Sequence, residues 1–259
     1  EDGDTWFYSN ECLDNNYLDL STQEAEILSK LQSLKEAGTI GKIVLLMNTN
    51  SVMQMKHIKQ YDIDACVHVG AGGVQSFEAI SNILTGKTNP NGALVDTMAY
   101  DNYSAPATVN FGDFKWTNST GLPGTDIGTY NNAYVVYQEG IYVGYRYYET
   151  RYEDVVMGNG NADSTKGTKQ SADRWSYAEE VAFPFGYGQS YTTFGFSNYK
   201  VTHTDGAFGG TYTITVDVKN TGKVAGKSIV GIYLQKPYTD YDKVMHIEKS
   251  AVELVGFAK

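Results

Sequence analysis

The chain has little with which to build covalent or metal-held structure. Cys12 and Cys66 are the only thiols in 259 residues, too few for a disulfide framework and set in no Cys-x-x-Cys or Cys/His spacing that ligates metal. The four histidines, His57, His68, His203 and His246, form no ligand-spaced pair, so no metal and no cofactor is implied. Basic residues are also scarce. Twenty Lys and Arg stand against 30 Asp and Glu, giving a net charge of −10 and a sequence pI near 4.8 with no Lys/Arg cluster. That balance argues against nucleic acid or an anionic membrane surface as a partner and favours a neutral ligand. No run of about 18 apolar residues is present, and no basic n-region leads into an apolar h-region. The sequence therefore shows neither a membrane span nor a signal peptide, and it assigns no compartment.

What is plentiful is glycine and tyrosine, 27 and 21 residues. They concentrate in two stretches, Tyr137-Gln-Glu-Gly-Ile-Tyr-Val-Gly-Tyr-Arg-Tyr-Tyr-Glu-Thr150 and Phe183-Pro-Phe-Gly-Tyr-Gly-Gln-Ser-Tyr-Thr-Thr-Phe194. Glycines among tyrosines let backbone approach aromatic rings closely. The result is either an aromatic core seam or a surface suited to flat, hydroxyl-bearing ligands such as sugars. Arg146, inside the first stretch, reads as a structural contact to carboxylates or rings, with a substrate role left open.

The length suits two units of ordinary size. Ser21-Thr-Gln-Glu24 is a capping box, which predicts a helix with Ile27, Leu28, Leu31 and Leu34 on its apolar face and a stop at Gly38. Lys42 to Met47 and Ala65 to Val69 are short apolar runs, expected as strands covered on both faces, with His68 a core histidine. Helices are expected over Val52 to Tyr61 and Val74 to Leu84, and a third strand over Gly92 to Thr97. This β-α-β-α-β order predicts an open α/β sheet with right-handed crossovers. Gly70-Ala-Gly-Gly73 has neither dinucleotide nor P-loop spacing, so it reads as a structural turn. Residues 101–180 lack periodicity and suggest long loops, with Met157 to Trp175 a candidate lid or exposed insertion. From about Gly195 the pattern alternates with period two, Thr211 to Val218 and Ser228 to Leu234, as in an antiparallel sandwich.

Taken together, these segments resemble the C-terminal half of family 3 glycoside hydrolases. The resemblance rests on the two Gly/Tyr stretches, on the ordered run Gly70-Ala-Gly-Gly-Val-Gln-Ser-Phe-Glu-Ala-Ile-Ser-Asn-Ile-Leu-Thr-Gly-Lys-Thr-Asn-Pro-Asn-Gly-Ala-Leu94, and on Val216 to Pro237. It implies α/β architecture: part of an open α/β sandwich domain over 1–194, followed by an incomplete fibronectin type III-like β-sandwich over 195–259. Tyr238 to Phe257 resembles members whose barrel follows the β-sandwich. The resemblance also implies a fragment of a longer polypeptide. Nothing in it repeats as the eight β/α units of the (β/α)8 barrel that carries the family's nucleophilic aspartate, so the barrel would come from the rest of the parent. The implied substrate is a β-linked oligosaccharide or glycoside, and a homo-oligomer is possible.

In the same family the general acid/base is a glutamate in a Gly-Glu-x-x-Asp segment ahead of a "YL.L...E" helix entry. Glu1-Asp-Gly-Asp4 with Tyr17-Leu-Asp-Leu-Ser-Thr-Gln-Glu24 is similar, which implies Glu1 as acid/base and Asp4 as its neighbour. Glu11 competes, because Glu11-Cys-Leu-Asp14 repeats the spacing closer to the helix. Trp6, Phe7, Tyr8 and Trp116 are candidates for a sugar-stacking wall. A non-catalytic saccharide-binding module of the same architecture is the rival expectation.

Overall fold

The computed structural model describes residues 18–73, 75–110, 114–116, 133–160, 174–207 and 209–259. The expected lid lies largely outside them. Helix α1 (Thr22–Glu36) opens with the expected capping box: Ser21 Oγ accepts from the Glu24 N–H at 3.3 Å, and Glu24 Oε2 accepts from the Ser21 N–H at 2.8 Å. It ends one residue before Gly38, whose φ of 70° suits glycine. Leu28, Leu31 and Leu34 face inward, and Leu28 joins Ile43, Tyr61 and Ile63 in one apolar cluster. Ile27 turns out to solvent, 60% exposed, so the buried stripe is narrower than expected.

Strands β1 (Val44–Met47) and β2 (Ala65–His68) pair in parallel, Val44 opposite Ala65 and Met47 opposite His68. Helix α2 (Lys56–Gln60) lies between them in sequence, and α3 (Ser76–Leu84) follows β2. The two strands are not covered on both faces. Leu45 and Met47 face the core, whereas Val44 and Leu46 are 45% and 41% exposed, because alternate side chains point to opposite faces and the packed layer covers one of them. His68 is exposed too, so it is not a core histidine.

The third strand also differs from expectation. Gly92–Thr97 forms no strand; Leu94 instead exchanges hydrogen bonds with the turn after β6, its N–H to the Tyr187 carbonyl and its carbonyl from the Gly186 N–H, both at 2.8 Å. The strand is β3 (Met98–Ala99), antiparallel to β6 (Val181–Phe183). Residues 101–180 hold more regular structure than a long loop: α4 (Pro106–Val109), β4 (Phe114–Lys115) paired with β5 (Ala133–Tyr134), α5 (Tyr145–Tyr152), and α6 (Tyr177–Glu180). A π-helical turn, Glu153–Met157, extends α5.

One face of α5 is core. Tyr142, Tyr147, Tyr148, Trp175 and Val181 form a buried cluster with Ala99. So the first Gly/Tyr stretch is partly the core seam that its composition allowed. Behind it lie Arg151, fully buried, and Glu180, 4% exposed. Burial raises the Glu180 pKa, while a Ser104 hydrogen bond and the Arg151 charge pull it back.

The C-terminal part is two antiparallel ribbons, β7 (Phe194–Thr204) with β8 (Thr211–Asn220), and β9 (Val230–Gln235) with β10 (Val252–Ala258). A short helix, α7 (Asp240–Val244), joins the second pair. Among the described residues the two ribbons are separate two-stranded sheets. The β10 end is tied to α5: the Ala251 N–H donates to Thr150 Oγ1 and the Leu254 N–H to the Tyr145 hydroxyl, both at 3.0 Å.

Candidate active site

Glu1, Glu11, Asp4, Trp6 and Tyr8 all lie outside the described residues, as does Cys12. Trp116 is described, 53% exposed and stacked 4.5 Å from Tyr134. The described chain begins at Leu18, and its anchorage there is well defined. The Gln54 N–H donates to the Leu18 carbonyl at 2.7 Å, Lys56 pairs with Asp19, and the Ser21 cap follows. This pins the approach to α1 onto the loop after β1. In parallel sheets the carboxyl ends of the strands, where β1 and β2 both stop, are where ligands gather.

That edge is built tightly. Asn50 Oδ1 accepts from the Ala71 N–H at 2.8 Å, linking the loops after β1 and β2. A Cβ on Gly72 would sit 2.3 Å from Ser76 Oγ, so the glycine permits the close turn into α3. Both observations agree with a structural role for the glycine loop. His57 lies under the anchor, 2% exposed, with neither ring nitrogen hydrogen-bonded; burial lowers its pKa against the pull of Asp19.

A second feature went unread in the sequence. Tyr145, Glu149 and Tyr152 lie along the α5 face opposite the core, at i, i+4 and i+7. Phe185, in the turn after β6, packs against Tyr145 with ring centres 4.6 Å apart and planes tilted by 38°, and Tyr233 of β9 meets both rings edge-on at 6.4 and 6.5 Å. Between them opens a cleft of about 320 Å³, lined also by Tyr177, Pro184 and Val252. In it the Tyr177 hydroxyl donates to Glu149 Oε1 at 2.6 Å. Burial raises the Glu149 pKa, the Tyr177 hydrogen bond lowers it, and Glu153 one turn on raises it again. A protonated carboxyl can donate as well as accept. The signal that could have found this cleft was the i, i+4 spacing of Tyr145 and Glu149, visible only once the stretch is read as a helix.

A smaller cleft of about 270 Å³ flanks the same Tyr145–Phe185 pair on the side of Asp96 and Arg146. Arg146 Nε is buried there without a hydrogen-bond partner. No cluster of His, Cys, Asp and Glu that could hold a metal occurs among the described residues.

The model for the glycosyl hydrolase family 3 C-terminal domain matches residues 3–145, more than half of the chain. The chain belongs to glycoside hydrolase family 3. Its family 3 relatives include a β-glucosidase of Ruminococcus albus, 30% identical over 96% of this chain and 20% of that protein. β-Glucosidase A of Butyrivibrio fibrisolvens is 31% identical over 84% of this chain and 22% of that protein. Among solved structures, β-glucosidase 3B of Thermotoga neapolitana, determined with glucose, superposes with a TM-score of 0.65 at 27% identity, over 94% of this chain and 27% of that one. A β-glucosidase of Paenibacillus barengoltzii gives 0.65 at 27% identity, over 92% of this chain and 20% of that one. These likenesses agree with the α/β part of the C-terminal half of such enzymes. The chain spans about a fifth to a quarter of the length of the relatives it matches.

Proposed function

We propose that this chain is the acid/base-bearing part of a retaining β-glycosidase that hydrolyses terminal non-reducing β-linked sugars, most simply β-D-glucosides. Family membership supports the reaction class, and the β-glucosidase names of its relatives support the sugar. The single observation that carries the site is the anchored entry to α1. The Gln54 N–H to Leu18 carbonyl bond and the Lys56–Asp19 pair tie the chain just ahead of α1 to the loop after β1 and the start of α2, at the edge where the strands end.

Retention requires two carboxyl groups about 5–5.5 Å apart. In this reading an aspartate on a (β/α)8 barrel, elsewhere in the parent polypeptide, attacks the anomeric carbon. Glu1 protonates the departing glycosidic oxygen, then takes a proton from the water that cleaves the glycosyl-enzyme. Asp4, Trp6 and Tyr8 are the substrate-binding candidates, and Glu11 is the alternative acid/base. Residues 1–194 would form the α/β sandwich domain and 195–259 the opening of a fibronectin type III-like sandwich, its two ribbons awaiting further strands.

The test is hydrolysis of aryl β-glucosides by the parent polypeptide carrying Glu1→Gln or Glu11→Gln, with and without azide. Glu1→Gln is expected to lower turnover of poor leaving groups by about 10²–10⁴-fold, with azide restoring rate as a glycosyl azide. If Glu11→Gln alone behaves so, the acid/base is Glu11. If neither does, the segment carries no acid/base.

A further inference from the structure

We propose that the cleft between α5, the turn after β6 and the β9–β10 ribbon binds a single saccharide ring. Its walls are aromatic and its polar groups converge, the combination that recognises a pyranose: CH faces stack on rings while hydroxyls meet hydrogen-bonding groups. Tyr233 supplies the open wall, 43% exposed and set across the Tyr145–Phe185 pair. Its placement is built in. A Cβ on Gly231 would come within 2.8 Å of the Tyr233 ring, so only glycine lets the ring lie against the strand there.

The polar side is equally ordered. Glu149 is held by Tyr177, which leaves Oε2 to meet a ligand hydroxyl. The Tyr145 hydroxyl accepts from the Leu254 N–H and keeps its own proton to donate. A volume of about 320 Å³ lies at the small end of the roughly 300–1,000 Å³ range of small-molecule sites, which suits one ring and not an extended chain. A net charge of −10 and a carboxyl in the cleft disfavour anionic ligands, leaving a neutral sugar as the fitting class. The choice of a β-glucoside as probe rests on the glycosidase reading, whereas the flat polar ring follows from the cleft itself.

The experiment is calorimetric titration of the intact polypeptide with methyl β-D-glucopyranoside, for wild type, Tyr233→Ala, Tyr233→Phe and Glu149→Gln, with circular dichroism melts confirming that each is folded. A weak binding event is expected that loses about tenfold in affinity in Tyr233→Ala and in Glu149→Gln, the worth of one stacked ring or one hydrogen bond to a carboxyl. Tyr233→Phe, which keeps the ring, retains it. Identical titrations in all four proteins overturn the proposal, as does the absence of that event at about 100 mM sugar, far above the millimolar range of weak sites. A parent polypeptide that binds in the cleft yet hydrolyses no aryl glucoside instead counts against the glycosidase reading alone.

Discussion

Glu149 holds its proton more tightly in the folded chain than in the unfolded one. Its raised pKa comes first from burial, then from Glu153, and the Tyr177 hydroxyl only partly offsets them. A folded-state pKa above the unfolded value means that the native chain binds the proton more tightly. Stability from this group is therefore full below the unfolded pKa, near the ordinary glutamate value of 4.5, and is lost as pH rises through the folded value. Glu180 adds a slope of the same sign, since burial raises its pKa as well. Glu149→Gln removes the first contribution without changing shape. Melts from pH 4 to pH 8 are expected to show the wild type losing stability relative to Glu149→Gln as pH rises above about 4.5. A pH-independent difference between the two proteins would show that Glu149 ionises as freely when folded as when unfolded.

Helix α5 and the start of strand β10 meet through two hydrogen bonds, one of them fully buried. Thr150 is fully buried and its Oγ1 accepts from the N–H of Ala251, 2% exposed. Thr150→Val keeps the volume but leaves that N–H without an acceptor, a cost of about 1–3 kcal/mol. At about 2–4 °C per kcal/mol for a chain of this size, the thermal midpoint is expected to fall by several degrees, and the Ala251 amide to exchange faster. Unchanged Ala251 exchange would show that the contact does not hold β10 to α5. None of this junction is legible in the sequence, because Thr150 and Ala251 are about a hundred residues apart and neither has a distinctive pattern. Local chemistry was legible: the Ser21–Glu24 capping box is present, the β1 and β2 runs are strands though open on one face, and β8 alternates over its middle. The failures share a cause. Gly92–Thr97 was expected in a sheet that it instead meets through the Gly186–Tyr187 turn, and α5 was hidden because its tyrosines have no strong helical preference. Tertiary partners decided both. Glu1 and Glu11 are named by the family resemblance alone and lie outside the described residues, whereas the cleft at Glu149 depends on three segments meeting in space.

At the scale of the whole molecule, exposed area is the governing quantity. Large apolar side chains contribute to it on both C-terminal ribbons, with Phe196 54%, Tyr212 68%, Val255 59% and Phe257 75% exposed. Isolated two-stranded ribbons are marginal without a partner layer. In the proposed reading the parent polypeptide supplies both the cover and the nucleophile. The 259-residue chain on its own is therefore expected to bind a hydrophobic dye such as anilinonaphthalene sulfonate, to associate with itself in sedimentation, and to hydrolyse no aryl β-glucoside. The parent is expected to do the reverse in all three assays. Hydrolysis by the purified isolated chain would place both carboxyl groups within these residues, and the division of the catalytic pair between two parts of one polypeptide would have to be abandoned.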